Sequence, residues 1–125
     1  MGPTEIRRDP AAPGPAITGF SGRGFRIDGQ VVAGAAKLTP ERAWAWNAPA
    51  LAALGQTDFD DLVAYGPEFI LLGTGPSLAR PSRALVAALE SRGVGLEAMD
   101  SRAAARAWGL LRGEGREVCA ALLAL

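Results

Sequence analysis

The sequence predicts an α/β domain, a central sheet with flanking helices, and three observations carry the prediction. Short alternating segments bounded by tight-turn residues occupy the stretch after residue 17. From Thr57 onward, apolar runs alternate with amphipathic ones. Ser, Thr or Asp stands where each amphipathic run would begin a helix. Hairpin-rich β followed by αβαβαβ is the pattern of a sheet covered by helices.

Residues 1–16 hold four prolines and few large apolar groups, which reads as a flexible N-terminal tail. A single domain is expected over 17–125. Phe25-Arg26-Ile27, the turn Asp28-Gly29 and Gln30-Val31-Val32 form a β-hairpin with a type I′ turn. Ala35 to Leu38 reads as a further strand. Thr39-Pro40-Glu41 has the look of a helix start, but Ala43 to Trp46 alternates with period two, so 40–54 reads as irregular with one short strand. Thr57 and Asp58 begin a short helix that places Phe59, Leu62 and Val63 on one face and ends at Gly66-Pro67. Phe69 to Leu72 is a continuous apolar run, as in a strand covered on both faces. A helix follows over 82–92, with Leu85, Ala88 and Leu89 inward and Gly93 closing it. Leu96 to Met99 is a strand, Asp100 and Ser101 cap a helix running to about Arg112, and 118–125 makes a buried last strand.

The 125 residues suffice for one core and are too few for two domains. With no His there is no Ser-His-Asp triad, no Cys-His dyad and no His proton shuttle. A lone Cys excludes Cys/His zinc sites and an intrachain disulfide, so no metal, no cofactor and no oxidising compartment is expected. Thirteen basic residues balance thirteen acidic ones, without the basic excess that nucleic acid demands. No apolar run approaches the ~20 residues that span a bilayer, and Arg7-Arg8 leads into no apolar segment, so a cytosolic protein is expected. Lys37 is the only lysine among many arginines, a bias that reads as GC-rich bacterial coding, and it has no evident activating neighbour.

Candidate sites come from strand ends. Gly93 to Ala98 fits G-x-G-x-x-A formally but precedes a strand, where the dinucleotide fingerprint follows one. Gly73-Thr74-Gly75 does follow a strand. Its two glycines serve either a tight turn or a crevice lined by N–H groups. If the strands ending at Leu72 and Met99 are parallel neighbours, Thr74, Asp100 and Ser101 converge there. Arg102 and Arg106, four apart on one helix face, would suit an anionic group, or else form a solvated face. Asp58, Asp60 and Asp61 read as helix-start charges. Trp44 and Trp46 share one side of a strand and serve core packing or anchor a partner. Cys119 reads as an inert buried thiol.

Four ordered blocks resemble a widespread family of small α/β proteins: Gly24 to Gly29, Ile70 to Gly75, Met99 to Arg106 and Glu114 to Leu122. The family is found in bacteria and archaea, largely as a domain of unknown function, and its eukaryotic relative is a mitochondrial assembly factor for respiratory complex I. The resemblance implies a three-layer β/α fold with a mixed central sheet and no established catalysis or cofactor. Relatives usually have Thr where this chain has Ser101, and often continue with Cys, Arg, Thr, Tyr and Asn. Here Ala105, Arg106, Ala107, Trp108 and Gly109 follow, so of that set Arg106 alone carries over.

The expectation is a non-enzymatic assembly factor that binds a protein partner such as a respiratory-chain or other membrane-complex subunit, as monomer or homodimer. The alternative is a small anionic ligand, bound or turned over, at Gly73, Thr74, Gly75, Asp100, Ser101, Arg102 and Arg106.

Overall fold

A computed structural model describes residues 13–125, and residues 1–12 of the expected tail lie outside them. Pro13 to Ala16 are anchored: the Pro15 carbonyl accepts from the Trp108 indole at 3.1 Å, and the Pro13 carbonyl accepts from Arg112 at 3.2 Å.

Three strands, β1 (Ile17–Ser21), β2 (Gly24–Ile27) and β3 (Gln30–Val32), form an antiparallel meander. The Asp28-Gly29 turn between β2 and β3 has φ of 51° and 82°, the left-handed pair a type I′ hairpin requires. β1 goes beyond the sequence expectation. Its half-buried and exposed residues alternate, and Gly19 and Thr18 dilute the apolar signal.

The main sheet has five strands in the order β5-β4-β8-β6-β7. They are β4 (Ala36–Leu38), β5 (Ala43–Ala45), β6 (Phe69–Gly73), β7 (Gly95–Met99) and β8 (Cys119–Leu122). β6 runs parallel to both β7 and β8, while β4 is antiparallel to β5 and β8, so the sheet is mixed. Between β4 and β5, the Thr39 hydroxyl accepts from the N–H groups of Glu41 and Arg42, forming a turn where a helix start had been one reading.

Helix α1 (Asp60–Tyr65) follows a 3₁₀ turn over Gln56–Phe59, and Gly66 closes it at φ 82°. Helix α2 (Arg83–Ser91) starts at Ser82, whose hydroxyl accepts from Leu85 N–H. Helix α3 (Ser101–Gly113) starts at Asp100, whose carboxylate accepts from Ala103 N–H. These caps satisfy N–H groups that lack intrahelical partners.

β8 shows why the last strand is apolar throughout. Ala120 and Leu122 enter a cluster with Phe25, Leu71, Ala104 and Trp108, on the side of α3 and the meander. Cys119 and Ala121 enter another with Phe59, Leu62, Leu85 and Leu89, on the side of α1 and α2. Three layers result, with the five-stranded sheet in the middle.

Candidate functional site

The parallel strands β6, β7 and β8 end together, and the loop after β6 leads to α2 on one face while the loop after β7 leads to α3 on the other. Such a divergence opens a crevice in many α/β folds. Here the chain fills it. Thr74 N–H donates to the Met99 carbonyl at 2.8 Å, and Ser101 N–H donates to the Gly75 carbonyl at 2.8 Å. The Ser101 hydroxyl, fully buried, accepts from Gly75 N–H at 2.8 Å and donates to the Leu123 carbonyl at 2.7 Å. The Thr74 hydroxyl donates to the Ser77 carbonyl and accepts from Ala79 N–H.

Gly73 makes this closure possible. A Cβ there would stand 2.7 Å from the Ser101 hydroxyl and 2.9 Å from its Cα. Gly75 has φ 106°, a backbone state reserved for glycine. Of the polar residues singled out in the sequence, Thr74, Asp100 and Ser101 thus come together with Gly73 and Gly75, each bonded within the protein.

Arg102 and Arg106 are exposed on the side of α3 that faces β1. The Arg102 guanidinium lies 5.6 Å from the centre of the Phe20 ring. Arg106 borders a shallow groove of about 250 Å3 formed with Ile17, Phe20 and Gly109. Phe20 is 38% exposed, and Leu110 on α3 is 67% exposed.

The two tryptophans share the α1/α2 side of the sheet. The Arg42 guanidinium covers Trp44 at 4.1 Å, and Trp46 stacks edge-on against buried Phe59. Beside Trp46 lies Lys37, whose ammonium sits 4.8 Å from the ring centre, donates to both carboxylate oxygens of Asp61 at 2.9 and 3.0 Å, and donates to the Asp58 carbonyl. Sequence reasoning missed this pair because its members are 24 residues apart. A lone lysine in a strand otherwise buried on both sides was its only signal. The other two acids of the run are also engaged: Asp58 accepts from Gly55 N–H, and Asp60 pairs with Arg92. Trp46, Arg23, Thr74 and Gly75 border an open groove of about 420 Å3.

At the opposite end of the sheet, Tyr65 donates to Glu117 at 2.6 Å, and Arg116 pairs with Glu68 at 2.9 Å. The Glu117 hydrogen bond, helped by desolvation and the carboxylate charge, pushes the Tyr65 phenol up to about 12. Glu68 is held below its usual value by Glu117 N–H and then by Arg116. Burial raises the Cys119 thiol to about 12, so it is a poor nucleophile. Among the described residues, no three His, Cys, Asp or Glu side chains converge as metal ligands.

Residues 17–123 match the model of a family described as protein of unknown function (DUF498/DUF598). The chain belongs to that family. An uncharacterized protein from Rhodobacter capsulatus is 36% identical over 112 residues, covering 86% of this chain and 82% of its own. The human NADH dehydrogenase [ubiquinone] 1 alpha subcomplex assembly factor 3 is 30% identical over 109 residues, 86% of this chain. This chain spans 59% of that relative's length. A solution structure from Bordetella pertussis, described as a Mth938-like domain, superposes with a TM-score of 0.78 at 25% identity, covering 96% of this chain and 92% of its own. The mixed α/β fold of this chain, a five-stranded sheet flanked by helices, is thus shared with that solved structure.

Proposed function

We propose that this protein is a non-enzymatic assembly factor of the cytosol, one that holds another polypeptide, such as a respiratory-chain subunit, while a larger complex is built. The observation that carries the reading is the closed crevice. The N–H groups and hydroxyls at the strand ends bond one another, so their polarity supports fixing loops, and the similarity to an NADH dehydrogenase assembly factor supplies the class of partner. The contact surface in this reading is the Phe20, Arg102 and Arg106 face, where an exposed aromatic ring and two guanidinium groups stand together. Aromatic and Arg side chains are the residue types that most often anchor interfaces.

The test is co-purification of a tagged copy from its native host, with gently solubilised membranes, read by mass spectrometry. Enrichment of respiratory-chain subunits with the wild type, lost in the double variant Arg102→Glu/Arg106→Glu while its thermal unfolding is unchanged, supports both role and face. Equal recovery with the variant moves the contact elsewhere, and no enrichment with either overturns the role. Trp44 and Trp46 make poorer probes, because their rings are engaged in packing and a change there would read out folding.

A further inference from the structure

We propose that strand β7 is a docking edge for an extended segment of another protein, which adds to the main sheet as a sixth strand with an apolar–basic–apolar pattern. The inference extends the protein-binding reading to a surface distant from Arg102 and Arg106 in role and chemistry.

β7 is the last strand of the sheet, and β6 is its single strand partner among the described residues. The Met99 carbonyl accepts from Thr74 N–H, so the backbone groups of Met99 face β6. Alternation along a parallel ladder turns the N–H and C=O groups of Leu96 and Ala98 outward. Natural sheets blunt such edges with bulges, proline, lysine or a covering element. β7 keeps regular register with β6 across Gly95–Met99, and its one charge is Glu97.

A groove of about 950 Å3 runs beside this edge on the α2 side. Leu96 and Ala98 form its floor, Val86 and Ala87 on α2 its wall, and Leu78, 65% exposed, one end. The residues of α2 that line it, Arg83, Val86, Ala87 and Glu90, are spaced as one helix face, separate from the inward Leu85 and Leu89. α2 runs opposite to β7, so Arg83, with Arg80 from the preceding loop, lies towards the Met99 end and Glu90 towards the Gly95 end. Among the described residues, neither Arg80 nor Arg83 forms an ion pair within 4.0 Å.

These features specify the occupant. Residues of an added strand opposite Leu96 and Ala98 point into the groove and must be apolar. The residue between them stands opposite exposed Glu97 and is basic. Two positions beyond, on the groove side, an acidic residue meets Arg80 and Arg83. A second copy of this chain fits less well: in the fullest two-fold antiparallel register, Leu96 pairs with Ala98 and Glu97 falls directly opposite Glu97, a repulsive placement. Antiparallel pairing is the more stable geometry per residue, so the partner strand runs against β7.

The probe is an acetylated, amidated peptide of sequence Thr-Glu-Thr-Val-Lys-Val-Thr, added at millimolar concentration to the full chain, with amide hydrogen exchange followed by NMR. Exchange at Leu96 and Ala98 is expected to slow by about tenfold, while Glu97, already bonded to β6, is unchanged. Ala98→Pro removes an outward N–H that β6 does not use, so protection by the peptide should disappear with the β6 amides still protected. Glu97→Lys should lose the peptide and regain it when the peptide lysine is replaced by glutamate. Unchanged exchange at Leu96 and Ala98, or equal protection by a scrambled peptide, overturns the proposal. Protection that rises with protein concentration alone also overturns it, assigning the edge to a second copy. Failure here leaves the co-purification result on Arg102 and Arg106 standing.

Discussion

Ser101 shows how much one side chain decides. Its position after Asp100 at a strand end was legible in the sequence as a cap, and as one wall of a crevice. That its hydroxyl plugs the crevice depends on the return of β8, which brings the Leu123 carbonyl within 2.7 Å, and local pattern carries no trace of that distant contact. Ser101→Ala would leave Gly75 N–H and the Leu123 carbonyl buried and short of a partner, and should cost about 1–3 kcal/mol in urea unfolding. A change within error would mean that the two groups find other partners and that the plug is incidental. Lys37 and Asp61 offer an asymmetric case, because the lysine side chain is 5% exposed and the aspartate 42%. Asp61→Ala leaves a buried ammonium with the Asp58 carbonyl and the Trp46 ring but no counter-charge and should cost about 2 kcal/mol or more, whereas Lys37→Met leaves a carboxylate that water can reach and should stay within about 1 kcal/mol. Equal losses from the two variants, measured by the same urea titration, would refute that difference.

At the scale of elements, local chemistry was readable wherever one residue type dictates one geometry. Asp28-Gly29 marked the hairpin, Ser82 and Asp100 marked two helix starts, and Gly66 marked a helix end. β1 was not legible, because ITGFS lies at a sheet margin and its half-exposed face gives a broken alternation. Nor were the ties between elements, such as the one that carries α1 onto the segment leading into β8. There Tyr65 donates to Glu117, and Tyr65 is the only tyrosine, so its titration can be followed by ultraviolet absorbance without interference from another phenol. The folded phenol titrates at about 12, against an ordinary value of 10.0. A raised value means that the neutral phenol stabilises the fold fully below pH 10.0, and that this contribution fades as pH rises through about 12. Absorbance should therefore show its midpoint near 12 in the native protein and return towards 10.0 in Glu117→Gln. An ordinary midpoint in the wild type would show that the hydrogen bond does not hold in solution. Glu68, beside it, works in the other sense. Its lowered value gives stability that is present above its ordinary 4.5 and is lost as pH falls through the folded value.

At the scale of the whole molecule, the sequence announced one α/β unit and left open how the N-terminal hairpin joins it. The meander packs onto the α3 side of the main sheet, and Phe25 and Ile27 share one buried cluster with Leu71, Ala104, Trp108 and Leu122. Backbone bonds reinforce the junction, since Leu125 N–H donates to the Arg23 carbonyl at 2.8 Å and Arg23 Nε donates to the Leu125 carbonyl at 3.0 Å. A layer that shares its core with the rest cannot open alone without exposing that core. β2 and β6 are each flanked by strands on both sides, and their paired amides should exchange through the same global opening. Phe25→Ala, in the smaller sheet, removes a fully buried ring and should lower the opening free energy of both strands together by about 3–5 kcal/mol. Loss of protection in β2 with β6 unaffected would show the meander to be a detachable layer. In that case Phe20, which β1 carries, would face Arg102 only while the meander is docked, and binding at that face would depend on the docking equilibrium.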